Sequence, residues 1–180
     1  RQTTSRGKRE KSLKEGAWNY YYTDSDKKQL EATGTYRKGM KQGQWTTYHP
    51  NGKIKDRLTY INDRLTGLAS SFSENGIPVS EIRYKNGKRN GVFREYYPNG
   101  NPREISLYTN GIKNGTENLY YEFGKRSSIG KYKNGKKDGF WKFFHENGKR
   151  KYQGNYKNDK KTGTWKNFDE EDKLINEENY

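Results

Sequence analysis

The sequence predicts an all-β protein, built as an elongated, single-layer antiparallel sheet of seven consecutive 24-residue β-hairpin repeats. Three observations carry that expectation. The first is a glycine that returns at a fixed interval. Gly43, Gly67, Gly91, Gly115, Gly139 and Gly163 stand 24 residues apart, and Gly16 precedes them by 27. The second is the apolar stock. Only 27% of residues are hydrophobic and 15% are aromatic, so Leu, Ile and Val are too few for a layered fold with a thick interior. The third is the punctuation. Asn-Gly recurs between short segments rich in Tyr, Trp, Phe, Thr and Ile, and it is the strongest short hairpin signal, because both central residues of the turn need positive φ.

Each copy can be read from its anchor glycine. Two residues on stand Trp18, Trp45, Ala69, Phe93, Glu117, Trp141 and Trp165. Five residues on stand Tyr21, Tyr48, Phe72, Tyr96, Tyr120, Phe144 and Phe168. Nine residues on comes a second turn glycine, at Gly52, Gly76, Gly100, Gly124 and Gly148, replaced by Asp172 in the last copy. Seventeen residues on stand Tyr60, Tyr84, Tyr108, Tyr132, Tyr156 and Tyr180, with Tyr36 as the counterpart in the longer first copy. The extra length of that copy lies in the stretch "TDSDKKQL" at residues 23–30. Two turns per copy give about fourteen strands and, at ~4.8 Å per strand, a ribbon roughly 65 Å long. Residues 1–12 read as a basic, flexible N-terminal segment, and residues 13–180 as the repeat array. The chain begins at Arg1 and not Met, so something upstream is expected to have been removed or never included: an expression scar, a cleaved export signal or a lipidated leader.

A turn centred on Lys136 and Lys137 would set Tyr132 opposite Trp141. The same spacing pairs Tyr36 with Trp45, Tyr84 with Phe93, and Tyr156 with Trp165. The expected structural ladder is therefore Trp18, Tyr36, Trp45, Tyr60, Tyr84, Phe93, Tyr108, Tyr132, Trp141, Tyr156 and Trp165, a core that runs along a line. The aromatic five after glycine has odd spacing from the first. Either both faces carry aromatics or a bulge realigns them. Ala69 and Glu117 interrupt the row, opposite Tyr60 and Tyr108 on this pairing, and each is expected to be a weak joint. At Glu117 either the sheet bends and the carboxylate reaches water, or a partner supplies the missing packing or a cation. Glu117 is thus a candidate partner contact.

At these residues the chain resembles the MORN repeat family in its second variety, roughly Tyr-x-Asn-Gly-Lys-x-x-Gly-x-Trp-x-x-Tyr-x-x-Asn-Gly-Lys. "YKNGKKDGFWKFFHENGK" (132–149) and "YRKGMKQGQWTTYHPNGK" (36–53) match it nearly throughout. The resemblance implies an elongated, curved antiparallel sheet. It also implies contact with proteins or with acidic phospholipids. Bacterial members of this variety are often labelled antitoxins, and many look exported or envelope-associated. An exported or cell-envelope location is accordingly favoured over a cytoplasmic one.

No catalytic constellation is visible, and the expectation is no enzyme, no cofactor and no metal. There is no Cys, no Walker loop and no nucleophile elbow. His49 and His145 share one repeat position beside a turn and read as exposed, turn-flanking residues whose removal is neutral. Asp169, Glu170, Glu171 and Asp172 lack the alternating spacing and glycine of a calcium loop.

The net charge is +15. Residues 1–14 and 169–180 cancel, so the array carries the excess. Its turns hold Lys38, Lys41, Arg64, Lys85, Lys88, Arg89, Lys113, Lys133, Lys136, Lys137, Lys157, Lys160 and Lys161, a candidate binding edge along one side of the ribbon. Lysines that guard strands against lateral aggregation account for part of this charge. As partners, a protein leads, an anionic lipid surface is the alternative, and nucleic acid is disfavoured for want of a groove floored by aromatics. The function expected is a non-enzymatic protein-binding scaffold, an accessory subunit of a larger assembly. The alternatives are peripheral binding to anionic lipid and antitoxin-like masking of a toxin.

Overall fold

A computed structural model describes residues 8–10, 13–23 and 28–180. Of the segment expected to be flexible, all but residues 8–10 lies outside the described residues, as do residues 24–27 of the longer first copy. Every regular element among the described residues is a strand, and none is a helix. The chain divides into two compact units, residues 1–88 and 89–180, the division falling after the first residue of β9 (Lys88–Tyr96).

The first unit contains β1 (Lys8–Glu10), β2 (Leu13–Tyr21), β3 (Leu30–Arg37), β4 (Met40–Tyr48), β5 (Ile54–Ile61), β6 (Arg64–Leu65), β7 (Gly67–Phe72) and β8 (Pro78–Lys85). β1 pairs with β2, so Lys8–Glu10 belongs to the sheet. Thereafter each strand pairs antiparallel with the next, and β5 takes both β6 and β7 as one partner interrupted at Thr66. The second unit contains β9 (Lys88–Tyr96), β10 (Pro102–Thr109), β11 (Ile112–Tyr120), β12 (Arg126–Lys133), β13 (Lys136–Lys137), β14 (Gly139–Phe144), β15 (Arg150–Lys157), β16 (Lys160–Phe168) and β17 (Leu174–Asn179). It repeats the same antiparallel order, with β13 and β14 together facing β12. Counting each interrupted pair once, the repeats supply the expected fourteen strands.

The turns explain the register. Asn134 and Gly135 have φ of 51° and 81°, and Asn110 and Gly111 have φ of 51° and 90°. Both central residues are left-handed, the condition that makes a two-residue hairpin turn match the strand twist. Asn158 and Asp159 hold the same geometry without glycine, at 51° and 67°. The turn therefore sits at Asn134-Gly135 and not at Lys136-Lys137. Tyr132 faces Lys137, Tyr60 faces Leu65, and Tyr108 faces Lys113. The anchor glycine is no turn residue. Gly139, at φ 89°, takes up a bulge that shifts the pairing by two. Beyond it, Ser128 faces Phe143 and Ile129 faces Lys142, which sets Trp141 beside Gly130. The expected pairing of Tyr132 with Trp141 is corrected accordingly.

Within each unit, hydrogen bonds stitch successive hairpins together at both turns. At the first turn, the N–H of Gly135 donates to the carbonyl of Lys113 at 2.8 Å, and that of Asp63 to Lys41 at 3.1 Å. At the second turn, Asn51, Asn99 and Asn147 donate their side-chain amides to the carbonyls of Glu74, Glu122 and Glu170. Asp172 keeps the left-handed φ, 69°, of the glycine it replaces.

The core is the face that carries the tryptophans. Trp18, Trp45, Trp141 and Trp165 are almost wholly buried. Strand alternation sends their neighbours to the other face. In β14, Phe140 and Phe144 line a groove opposite Trp141 and Phe143. Both faces of the second unit therefore carry aromatics.

Candidate functional site

On the tryptophan face of each unit one residue per strand forms a row, in which indoles and small residues are neighbours. Trp18 faces Gly34, Trp141 faces Gly154, and Trp45 faces Leu58. Three indoles lie directly over a glycine of the preceding strand. A Cβ built on Gly34, Gly130 or Gly154 would fall within 2.6 Å of ring atoms of Trp45, Trp141 or Trp165 respectively. Where the preceding strand has a larger residue, the indole is absent. Ala69 lies next to Ile82 and, in the continuing register of β5 and β7, Leu58. Glu117 faces Ser106. The interruptions at Ala69 and Glu117 are therefore the other half of a size rule. The signal was in the sequence, fifteen residues after the anchor (eighteen in the longer first copy), but becomes visible only with the bulged register.

The tyrosines pack edge-on against the indoles. Tyr36 meets Trp45 at 5.0 Å and 81°, Tyr132 meets Trp141 at 5.4 Å and 84°, and Tyr156 meets Trp165 at 4.9 Å and 79°. Tyr60 reaches Trp45, Tyr108 reaches Phe93, and Tyr84 stands opposite Gly67. Each edge-to-face pair contributes about 0.5–1.5 kcal/mol beyond area burial. Burial pushes the Tyr36 phenol up to about 12, helped by its hydrogen bond with Tyr20 at 3.0 Å. Tyr132 is also pushed up to about 12, by burial and then by the charge of Glu117.

The candidate edge cations divide into two sets. One set stands beside the tyrosines on the tryptophan face and caps rings. Lys41 lies 4.5 Å from the Trp45 ring, Lys137 4.6 Å from Trp141 and Lys161 4.6 Å from Trp165. Arg89 covers Phe93 and Tyr108, and Lys113 covers Tyr132. The other set is exposed: Lys38, Arg64, Lys85, Lys88, Lys133, Lys136, Lys157 and Lys160. Two cross-strand pairs among these are like-charged, Lys133 with Lys136 and Lys157 with Lys160. Lys157 also reaches Asp138 at 3.1 Å.

Glu117 is 3% exposed. It neither reaches water nor waits for a partner's cation, because Lys113 of its own strand pairs with it. The same ammonium donates to Glu104 at 2.8 Å, whose carboxylate also accepts from Ser106 at 2.7 Å. Burial pulls Lys113 down, but the two carboxylates outweigh it and hold the ammonium above its ordinary value. A buried ion pair satisfied on both sides is held in place, whatever its net stabilisation.

His49 and His145 are not bystanders. Nε2 of His49 lies 2.8 Å from the carbonyl of Phe72, and Nε2 of His145 lies 2.9 Å from that of Phe168. A carbonyl can only accept, so each imidazole donates from Nε2. Tyr97 and Tyr121 do the same with their hydroxyls, towards the carbonyls of Tyr120 and Phe144. This repeat position is a clip to the next hairpin. Among the described residues no cluster of three or more metal-ligating side chains occurs.

The MORN repeat variant model matches residues 41–62, 65–86, 89–110, 137–158 and 161–180, together more than half of the chain. The chain belongs to the MORN repeat variant family. In this MORN protein the family model passes over residues 111–136, the stretch that contains Glu117 and Lys113. MORN repeats are in general non-catalytic and serve in binding proteins or membrane lipid. No curated protein matches the chain.

Proposed function

We propose that this MORN protein is a non-enzymatic, protein-binding scaffold, an accessory subunit of a larger assembly, whose exposed turn cations receive an acidic partner. The observation behind this reading is the pair of like-charged rungs, Lys133 with Lys136 and Lys157 with Lys160. Like charges directly opposite on two strands destabilise a sheet. Of the four lysines only Lys157 has an ion-pair partner, Asp138, and lysines so placed suit a surface that is neutralised on binding. The ring-capping lysines are already engaged, so they contribute to the fold and not to this surface.

The test compares the chain with its Lys133→Gln, Lys136→Gln, Lys157→Gln, Lys160→Gln variant. Both are used for affinity capture from the source cells at about 0.15 M and higher salt, where screening shortens to a few ångströms. The expected result is a protein captured by the native chain, released by salt and lost from the variant. Identical capture by both chains would overturn the reading. So would exclusive binding to vesicles of anionic lipid.

A further inference from the structure

The hairpin of β12, β13 and β14 differs from its sister hairpin, β3 and β4, most sharply in charge on one face. On the tryptophan face Ser128 and Phe143 replace Ala32 and Thr47, but Gly130 and Trp141 repeat Gly34 and Trp45, and Lys137 caps its indole as Lys41 does. On the other face the sister carries Thr33, Thr35, Gln44 and Thr46, with Thr33 facing Thr46. The same positions here hold Ile129, Lys131, Phe140 and Lys142, with Ile129 facing Lys142. Uncharged polar residues satisfy the template. An apolar centre flanked by lysines is therefore not something the hairpin needs in order to fold.

That face is also hollow. A groove of about 560 Å³ is floored by Ile129, Phe140 and Phe144 and bordered by Arg150, which Asp172 pairs, and by three further cations, Arg126, Lys131 and Lys142. Phe140 is 47% exposed. The ion pairs among the described residues involve none of these three cations. Lys142 leans over the Phe140 ring at 5.8 Å, so cation and apolar surface form one patch. The patch is continuous along β12 with Lys133, which alternation places on the same face two residues after Lys131.

We propose that this groove docks an acidic segment of a partner protein bearing one bulky apolar side chain. The apolar side chain lies on Phe140 and Ile129, and flanking carboxylates meet Lys131, Lys142 and Arg126. Charge complementarity selects an anionic occupant, because the rim carries cations with no carboxylate among the lining residues, and the protein-binding reading makes that occupant an acidic segment. The exposed ring selects an apolar anchor, since a solvated aromatic gains by being covered. A groove of this size admits a side chain and its flanks, not a domain. The inference rests on the protein-binding reading and specifies which face and which partner chemistry.

The test uses fluorescence anisotropy on the full chain with three labelled decapeptides. The first is Glu- and Asp-rich with a single central Phe. The second has Ala in its place, and the third has Gln and Asn for the acids. The first should bind at least tenfold more tightly than the others. Phe140→Gln, which copies Gln44 of the sister hairpin, should weaken it tenfold, and so should Lys131→Gln with Lys142→Gln. Circular dichroism verifies that these variants stay folded. Equal binding of the three peptides, or indifference to these substitutions, overturns the proposal. Binding to phosphatidylglycerol vesicles that falls in Phe140→Gln, without peptide preference, also overturns it in favour of a lipid surface. If the turn-lysine variant loses its captured protein while the peptides show no preference, this docking site fails and the scaffold reading stands.

Discussion

Replacing Gly130 by Ala tests the size rule at its sharpest point. A Cβ at residue 130 would meet Cδ2, Cε2 and Cγ of Trp141 at 2.0, 2.1 and 2.5 Å. Ordinary carbon contacts are near 3.5–4.0 Å, so the indole must move by more than ~1 Å. It has nowhere to go. Trp141 is 1% exposed, with Tyr132 and Tyr156 edge-on at 5.4 and 6.0 Å and Phe143 stacked at 5.8 Å. Overpacking costs about 1–3 kcal/mol, and expelling the ring about 3–5 kcal/mol. The chain takes the cheaper course, so the expected loss is ~3 kcal/mol at the top of the overpacking range. In a Trp141→Ala background the same Cβ meets no ring, and Gly130→Ala should cost nothing or stabilise, because glycine is about 0.5–1 kcal/mol worse than alanine within a strand. The coupling between the two sites should therefore approach the whole ~3 kcal/mol. Repeat arrays open locally, so the assay is hydrogen exchange of β12, β14 and β15, where 3 kcal/mol is roughly a hundredfold change in rate. Additive effects within about 0.5 kcal/mol would refute the indole-on-glycine packing.

Glu117→Trp alone should destabilise, because the new indole would fall on buried Ser106 and leave Lys113 with one carboxylate fewer. Adding Ser106→Gly should recover protection of β10 and β11, and no recovery would remove the rule as the explanation of this copy. His145→Ala should cost about 1 kcal/mol, the worth of one hydrogen bond; unchanged exchange in β16 and the turn after it would return His145 to a neutral surface position. Tyr36 and Tyr132 keep their protons to about 12 in the folded chain, against an ordinary value near 10. Between those values the folded state holds more protons than the unfolded one, so stability is complete below pH 10 and falls as pH rises towards 12. Thermal midpoints should drop across that window, less steeply in Tyr132→Phe, and identical slopes would contradict the assignment.

Much of the fold was legible because every position is written seven times. A single Tyr or Asn-Gly is weak evidence, but one recurring at a fixed interval is not open to local accident. The all-β class, the hairpins, their count and the aromatic face follow from that register. The pairing within a hairpin did not follow, because it depends on a bulge as well as on the turn. Asn134-Gly135 and Gly139 both read as turn glycine, yet one makes the reversal and the other shifts the register by two. Mistaking the second for part of the turn moved Trp141 from Gly130 to Tyr132 and hid the Trp–Gly complementarity. The Tyr132–Trp141 ring contact survived the error, since side chains this long touch diagonally.

The candidate site was less legible for the same reason. Lys136 and Lys137 are adjacent and identical, yet Lys137 caps an indole and Lys136 stands in solvent opposite Lys133. Only pleat parity distinguishes them, and the turn position sets that parity. The sequence alone determined what each repeat is made of and how often it recurs, because composition and spacing are properties of the chain itself. The tertiary structure decided which cations face the rings, that Glu117 is paired by Lys113, and that Phe140 lies exposed among lysines. Those facts depend on which strand lies beside which and in what register. That is set by turn and bulge geometry acting on residues far apart along the chain.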